Sequence, residues 1–267
     1  MPEVRPLPLR RPGRVAGAQA IHRAAALLKQ VACEPSDGVK LQGLCAQLGL
    51  EMPTAHRIMR SLVAEGLIAK DDASGRYRLG PVVHELGLGA APNLDLRALC
   101  APSMRRLAAN SGDSVFLVIR SDYDGVCIDR HEGAFPARIH TLDVGRRRPL
   151  GMGAAAVALM IGLPAQEAAG ILQANALRFQ QYGVAVDTAR GALADANEQG
   201  FAWNDGQIKD GQRGLAVACN GRGGIPFVAI SIAAVASRMS RSRVPGLVAM
   251  LRAEASVIER QVLSQSR

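Results

Sequence analysis

The chain has 267 residues and a formal net charge of +9 at pH 7. This length is enough for two modest domains, each with its own buried core. The longest uncharged run, residues 149–166, contains Gly and Pro and is shorter than the roughly 20 apolar residues that span a bilayer, so a membrane-spanning protein is excluded. The first 80 residues carry 12 Lys and Arg against 7 Asp and Glu, which favours an acidic partner for this part of the chain.

The five cysteines are far apart and show neither the spacing of a metal site nor that of a disulfide framework. They predict free thiols in a cytoplasmic protein that holds no metal and no cofactor. Of the five histidines, His22, His84 and His140 are scattered along the chain and form no metal-binding pattern.

The N-terminal elements occur in the order of a winged helix-turn-helix. Residues 1–16 are rich in Arg and Pro and lack the apolar segment of a signal peptide, so they predict a flexible basic tail. Apolar residues at helical spacing predict three helices, over 18–32, over 40–49 and from Pro53 onwards. Two short extended runs around the turn-rich "DDASG" predict a β-hairpin over 67–80. We therefore expect a DNA-binding domain over 17–80, followed by a linker helix over 81–92.

The remainder, residues 93–267, is predicted to be an α+β domain. Helices kept apart from runs of hairpin-linked strands indicate an antiparallel sheet. The predicted helices cover 94–112, 152–162, 164–175, 186–200 and 244–264, and the predicted strands cover 113–122, 124–133, 137–145, 214–220 and 225–235.

The third predicted helix carries basic residues opposite an apolar stripe, as a recognition helix does. Pro53 suits its first turn, where free N–H groups and the helix dipole favour a DNA phosphate. An arginine on the exposed face of this helix can bind guanine in the major groove. The alternative is that the basic face is simply solvated. In the hairpin, arginines flank a tyrosine, as in a wing that lies on backbone phosphates. The candidate DNA-binding residues are Pro53, Thr54, His56, Arg57, Arg60, Arg76, Tyr77 and Arg78.

An enzyme is the alternative class of function. Cys127, Asp129 and His131 would share one face of a strand, so a thiol nucleophile is geometrically possible. The sequence has no nucleophile elbow or oxyanion loop, and "GMGAAA" and "NGRGG" lack the Lys-Ser/Thr of a phosphate-binding loop. We therefore do not expect an enzyme.

The stretch "GLEMPTAHRIMRSLVAEGLIAKDDASGRYRLGPVVHELG" resembles the IclR family of bacterial transcriptional regulators, as do "MRRLAANSGDSVFLV", "CIDRHEG", "VGRRRPLG" and "VAISI". The resemblance covers about residues 18–264. It implies a winged helix, a linker helix that helps the chain to dimerise, and a C-terminal effector-binding domain with a GAF-like fold. It also implies binding to double-stranded operator DNA as a dimer or tetramer, controlled by a small carboxylate or aromatic acid of a catabolic pathway.

The resemblance places the effector pocket between the sheet and the loops around "PLGMGAAA", "WNDGQIKDGQRG" and "AISIA". The implied effector-binding residues are Leu150, Met152, Ala154, Ala155, Asp205, Gly214 and Ser231. Small or apolar residues replace larger or polar ones that are common in the family, which predicts room for a bulky or apolar effector such as an aromatic acid; these residues are Gly151, Val157, Gly214 and Ala233. The alternative is a DNA-binding protein without a ligand, whose C-terminal domain serves only assembly.

Overall fold

The computed structural model of the protein describes residues 17–34, 37–90, 95–136 and 142–265. These residues form two compact units, with the division between Asp95 and Leu96. The predicted basic tail over 1–16 lies outside the described residues.

The first unit is built from three helices and a hairpin, followed by a further helix. Its elements are α1 (Gln19–Ala32), α2 (Leu41–Leu48), α3 (Met52–Ala64), β1 (Ile68–Lys70), β2 (Tyr77–Leu79) and α4 (Pro81–Ala90). Helix α2 ends at Gly49, whose φ of 62° places it in the left-handed region that glycine adopts readily, and the tight turn that follows leads directly into α3. Apolar side chains from all three helices close the core, among them Leu27, Leu44 and Met59, each 0% exposed.

The hairpin is fixed to this core by Tyr77. Strands β1 and β2 are antiparallel, with Lys70 opposite Tyr77. Tyr77 also exchanges two backbone hydrogen bonds with Val39, at 2.9 and 2.8 Å, which adds a short bridge to the hairpin. Its side chain is 5% exposed and belongs to the core of the unit.

The second unit is a sheet covered by helices on both faces. Its elements are α5 (Leu96–Ser111), β3 (Ser114–Ser121), β4 (Asp124–His131), β5 (Arg147–Pro149), α6 (Ala154–Ala158), α7 (Ala165–Ala174), α8 (Ala176–Gln180), α9 (Val186–Gln199), β6 (Ala202–Asp205), β7 (Gln212–Asn220), β8 (Pro226–Val235) and α10 (Val244–Gln265). In the described residues the sheet has six antiparallel strands in the order β5-β4-β3-β8-β7-β6.

One face of the sheet packs against α6 and α9, and α7 packs against α9. Phe116 on β3, Ser231 on β8 and Ala216 on β7 lie side by side in the strand register. Phe116 and Ala216 join one apolar cluster with helical residues such as Leu172 and Leu193. The opposite face packs against α5 and α10.

A buried ion cluster joins the end of α5 and the start of β3 to the segment between β8 and α10. The Asp113 carboxylate, just after α5, accepts hydrogen bonds from Arg238 at 2.7 Å and Arg243 at 2.6 Å. Both arginines also donate to the carbonyl of Ser111, and Arg238 lies over the ring of Phe135. The Asp113 side chain is only 2% exposed, so the cluster fixes the start of β3 to the segment that precedes α10.

Most predicted elements are confirmed, and three differ. The strand predicted over 137–145 lies partly outside the described residues, and the edge strand is instead Arg147–Pro149. The helix predicted over 152–162 is reduced to the five residues of α6. Strand β6 lies where the resemblance implies a loop, and no strand is predicted there because its four residues, "AWND", include no β-branched residue.

Candidate DNA-binding surface and ligand cavity

Helix α3 is amphipathic, as its sequence predicts. Ala55, Met59 and Leu62 are buried against α1 and α2. The opposite face exposes Pro53, His56, Arg57, Arg60 and Ser61, and Thr54 is half-buried. The N-cap residue Glu51 makes no side-chain capping hydrogen bond, so the first-turn N–H groups face outwards without a side-chain acceptor there. This arrangement can place cations and backbone donors against a phosphate backbone.

The hairpin divides its basic residues between two tasks. Arg78 is exposed. Arg76 is half-buried, donates to the carbonyl of Gly38 at 2.7 Å and lies 3.2 Å from the Asp37 carboxylate, so it holds the hairpin against the α1–α2 connection. Tyr77 is buried in the core. Strand alternation turns its ring inwards, so that little of Tyr77 is exposed, although it lines the groove between α3 and the hairpin.

A groove between α3 and the hairpin contains a basic residue that the sequence pattern did not single out. Lys70, at the end of β1, is exposed and lines this groove with His56 and Arg60. Lys70 directly precedes the turn "DDASG", and this position beside the tip of the predicted wing could have identified it as a candidate for contact with DNA. The exposed basic residues of α3 and the hairpin are therefore His56, Arg57, Arg60, Lys70 and Arg78.

The second unit contains a small cavity between the sheet and the start of α6. Its floor is Phe116, Gly214, Ser231 and Ala233 on neighbouring strands, and its roof includes Ala154 and Ala155. The cavity is partly open to the surface, and its volume is about 50 Å³. The remaining lining residues are Leu142, Arg148, Gly153, Asn204, Ile208, Gln212, Arg213 and Ile232.

Arg148 brings a positive charge to this cavity. Its Nη1 atom lies 3.1 Å from the position that a Cβ atom would occupy on Gly153, so the bare glycine makes space for the guanidinium. Burial lowers the pKa of Arg148, and a side-chain hydrogen bond with Tyr182 partly opposes this shift. Arginine stays charged at neutral pH even so. The charge of Arg213, the other cation of the lining, is balanced by Asp205 at 2.6 Å.

Two amide side chains add polar groups to the cavity wall beside the Ser231 hydroxyl. Asn204 donates from Nδ2 to Oε1 of Gln207 at 3.0 Å. Oε1 of Gln212 is buried and has no hydrogen-bond partner in the described part of the chain. A buried acceptor without a partner is uncommon, because it loses its hydrogen bonds to water without replacement.

Four of the seven predicted effector-binding residues line the cavity: Ala154, Ala155, Gly214 and Ser231. The structure does not place the other three there. Leu150 and Met152 are buried in the apolar cluster beneath the turn. Asp205 is exposed and pairs with Arg213, because the alternation of β6 turns Asn204, not Asp205, towards the cavity. Arg148, Asn204 and Gln212 were missed.

This cavity is small beside the room for a bulky effector that the resemblance predicts. A Cβ atom on Gly151 would lie 2.6 Å from Leu172, so neighbouring side chains already fill the space beside this glycine. Val157 is buried in the apolar cluster and does not line the cavity. Gly214 and Ala233 do line it, and the volume of the cavity is about 50 Å³.

The arrangement around Cys127 does not suit a nucleophile. Its thiol is fully buried and donates to the backbone carbonyl of Asp129 at 3.3 Å. Burial raises the pKa of Cys127 to about 12, so the thiolate is not formed at neutral pH. His131 is hydrogen-bonded to the Asp129 carboxylate at 3.1 Å. In the described ranges, no three His, Cys, Asp or Glu side chains are grouped to hold a metal ion, and no helix is long and apolar enough to cross a membrane.

Both units match known protein families. The family model described as "IclR helix-turn-helix domain" matches residues 20–72, and the one described as "Bacterial transcriptional regulator IclR C-terminal" matches residues 89–260. The chain is 30% identical over 247 residues to the glycerol operon regulatory protein of Streptomyces coelicolor, which covers 91% of this chain and 96% of that protein. It is 27% identical over 246 residues to the HTH-type transcriptional regulator KipR of Bacillus subtilis, with 91% and 97% covered.

A solved structure shares the fold. It is an IclR homolog from Microbacterium hydrocarbonoxydans complexed with 4-hydroxybenzoate. The two chains superpose with a TM-score of 0.68 at 22% identity, covering 92% of this chain and 99% of the other.

Proposed function

The chain belongs to the IclR family of bacterial transcriptional regulators and carries its helix-turn-helix DNA-binding domain, and from this premise we propose that a small organic acid, bound in the cavity of the second unit, controls operator binding. The relatives are transcriptional regulators, not enzymes. We further propose that the protein acts in the cytoplasm, where its DNA is.

The exposed basic surface around α3 carries the DNA-binding part of the proposal. In a helix-turn-helix the second helix enters the major groove with its N-terminal residues against base edges. We assign base or near-base contacts to Thr54 and Arg57, and backbone contacts to His56, Arg60 and the hairpin cations Lys70 and Arg78. Pro53 starts the helix. Arg76 acts indirectly, because its guanidinium positions the hairpin.

Selection from random duplexes with the full-length protein tests these assignments, because it yields an operator directly from the binding preference of the protein. We expect Arg57→Ala to weaken binding to the selected duplex by about 1 to 3 kcal/mol. The matched control is Arg190→Ala, which removes an exposed cation from α9 in the other unit. Equal effects of the two substitutions would remove the assignment of α3 as the recognition helix.

The cavity carries the effector part of the proposal, since it combines apolar lining residues with the Arg148 cation and a few other polar side chains. Ligand sites are mostly apolar with a few placed polar groups. The homolog that binds 4-hydroxybenzoate shares the fold, which supports an organic acid as the ligand class. A thermal-shift screen of the full chain against aliphatic and aromatic acids tests this part, because a ligand at 100 times its Kd stabilises the folded state by about 2.7 kcal/mol. A flat screen would favour a ligand-independent regulator whose second unit serves assembly.

We propose that the protein binds DNA as a homo-oligomer, at least a dimer. Leu86 and Leu88 on α4 are 61% and 69% exposed, which is unusual for leucines of a monomer and fits a helix that packs against its copy. Two copies of α3 would then occupy successive major grooves of a palindromic site. Sedimentation of the wild type and of Leu86→Lys tests the assignment, and unchanged mass of the variant would contradict it.

A further inference from the structure

The first turn of α3 exposes a large apolar side chain at the tip of the proposed recognition helix. Met52, the first residue of α3, is 48% exposed, whereas Met59 on the same helix is 0% exposed. We propose that Met52 determines part of the operator sequence, because its side chain packs against the C5-methyl group of one thymine in each half-site. This inference rests on the proposed role of α3 and adds one base that the helix reads.

The side chain of Met52 lies outside the core of the first unit. The buried stripe of α3 consists of Ala55, Met59 and Leu62, and Leu50, two residues before Met52, packs against the same core. Met52 does not belong to this apolar cluster. Long side chains on a helix lean towards its N-terminus, so the Met52 side chain covers the surface just ahead of the first turn. It is therefore available to an apolar group on a partner.

The charges around Met52 favour DNA as this partner. Arg57 and Arg60 are exposed further along the same helix, and Lys70 is exposed in the neighbouring hairpin. Cations grouped in this way bind the phosphates of a nucleic acid. A molecule that meets these cations and the tip of α3 together is duplex DNA, and the apolar side chain then lies in its major groove.

The chemistry of the first turn favours a base edge over the phosphate backbone. Glu51, the N-cap residue, is exposed, and its carboxylate repels a phosphate. Pro53 has no N–H group that could donate to a phosphate oxygen. Met52 and Pro53 are both exposed and apolar. The apolar group that base edges present in the major groove is the C5-methyl group of thymine, so this is the group that the turn matches.

The spacing along α3 locates the thymine relative to the base pair that Arg57 reads. Five residues of α-helix rise about 7.5 Å, and successive base pairs are about 3.4 Å apart. The thymine should therefore lie within about two or three base pairs of the pair that Arg57 reads. The Arg57→Ala variant identifies that pair, because it loses discrimination there.

The test replaces each thymine of the selected duplex in turn, in both half-sites, with deoxyuridine. Deoxyuridine lacks the methyl group and keeps every hydrogen-bonding group of the base. Fluorescence anisotropy then measures the affinity of the full-length protein for each duplex. At one position we expect the wild type to bind about fourfold more weakly per half-site, which is the ratio for the loss of one buried methyl group. This comparison needs no variant, so it does not depend on the folding of a mutant.

Substitutions at Met52 assign the methyl contact to this side chain. Met52→Ala and Met52→Gln should bind the thymine and deoxyuridine duplexes alike at that position, whereas Met52→Leu should keep most of the preference. The matched control is Leu177→Ala, which shortens a side chain that is 77% exposed on α8 in the other unit and should keep the full preference. Urea unfolding of each variant checks that its stability is unchanged, as expected for a half-exposed residue.

The outcomes separate this inference from the proposed function. Equal wild-type affinity for the thymine duplex and every deoxyuridine duplex overturns the inference, and so does a selected half-site without thymine near the base that Arg57 reads. A preference that persists in Met52→Ala and Met52→Gln assigns the methyl contact to another residue and also overturns it. In these cases α3 remains the recognition helix as long as Arg57→Ala weakens binding more than Arg190→Ala. Equal effects of those two variants would refute the role of α3 itself.

Discussion

Replacing Asp113 with alanine should destabilise the second unit strongly, because it leaves two guanidinium groups without their shared partner. The Asp113 side chain is 2% exposed, and Arg238 and Arg243 are 28% and 29% exposed. Removing one partner of a buried ion pair costs about 3 to 5 kcal/mol. Both arginines keep some solvent and their bonds to the Ser111 carbonyl, so we expect the lower end, about 3 kcal/mol. For a unit of this size that is a fall in Tm of about 6 to 12 °C.

Differential scanning calorimetry of the full chain is the assay, with urea unfolding as the second measurement. The control is Asp187→Ala on α9. The side chain of Asp187 is 84% exposed, and its removal breaks an ion pair with Arg190. An exposed pair contributes about 0 to 1 kcal/mol, so the control should shift Tm by only a few degrees. Equal shifts in the two variants, or a loss below about 1 kcal/mol for Asp113→Ala, would show that the buried cluster does not stabilise the unit.

Three further predictions concern the two units. Arg57→Ala should relax specificity at one base pair, whereas Arg78→Ala should weaken binding to all sequences and reduce the slope of log K against log salt concentration by about 1. Competition with single-base variants of the duplex at three salt concentrations measures both effects. Identical behaviour of the two variants would contradict the assignment of base contacts to Arg57 and backbone contacts to Arg78. Tyr77→Phe should keep operator affinity, and Tyr77→Ala should destabilise the first unit by about 3 to 5 kcal/mol in urea unfolding; a loss of affinity in a stable Tyr77→Phe protein would contradict the buried position. A thiol reagent at pH 8 should label the half-exposed Cys33 rapidly and Cys127 only after unfolding. Burial raises the pKa of Cys127 from 9.0 to about 12, so the stability linked to this thiol is present below about pH 9 and is lost as the pH rises towards 12. Urea unfolding at several pH values measures this loss. Fast labelling of the Cys33→Ser protein would contradict the buried position of the remaining thiols, on which both expectations depend.

The order of elements could be predicted from the sequence wherever a local pattern determines it. The apolar stripe of α3 and the turn between β1 and β2 depend on near neighbours in the chain, and both are confirmed. Strand β6 could not be predicted in the same way, because its four residues are extended only through pairing with β7. Helix α6 is short for a similar reason, since Gly153, with a φ of 78°, begins it inside a tightly packed turn.

The site residues were harder, because side-chain direction depends on strand parity and on distant partners. Tyr77 and Arg78 are neighbours in the sequence, yet they lie on opposite faces of β2. A shift of one residue likewise separates Asn204, which lines the cavity, from Asp205, which does not. Arg76 is held by Asp37, and Arg148 and Gln212 line the same cavity only because the sheet folds. No local pattern predicts contacts of this kind.

The most direct test of effector control is the operator affinity of the full-length protein, measured by fluorescence anisotropy with and without a saturating acid. The duplex comes from the selection described above, and the acid is one whose binding calorimetry has established. Our account predicts a change in operator Kd of about 5- to 150-fold, which corresponds to a coupling of about 1 to 3 kcal/mol. An unchanged Kd with the acid bound would contradict it.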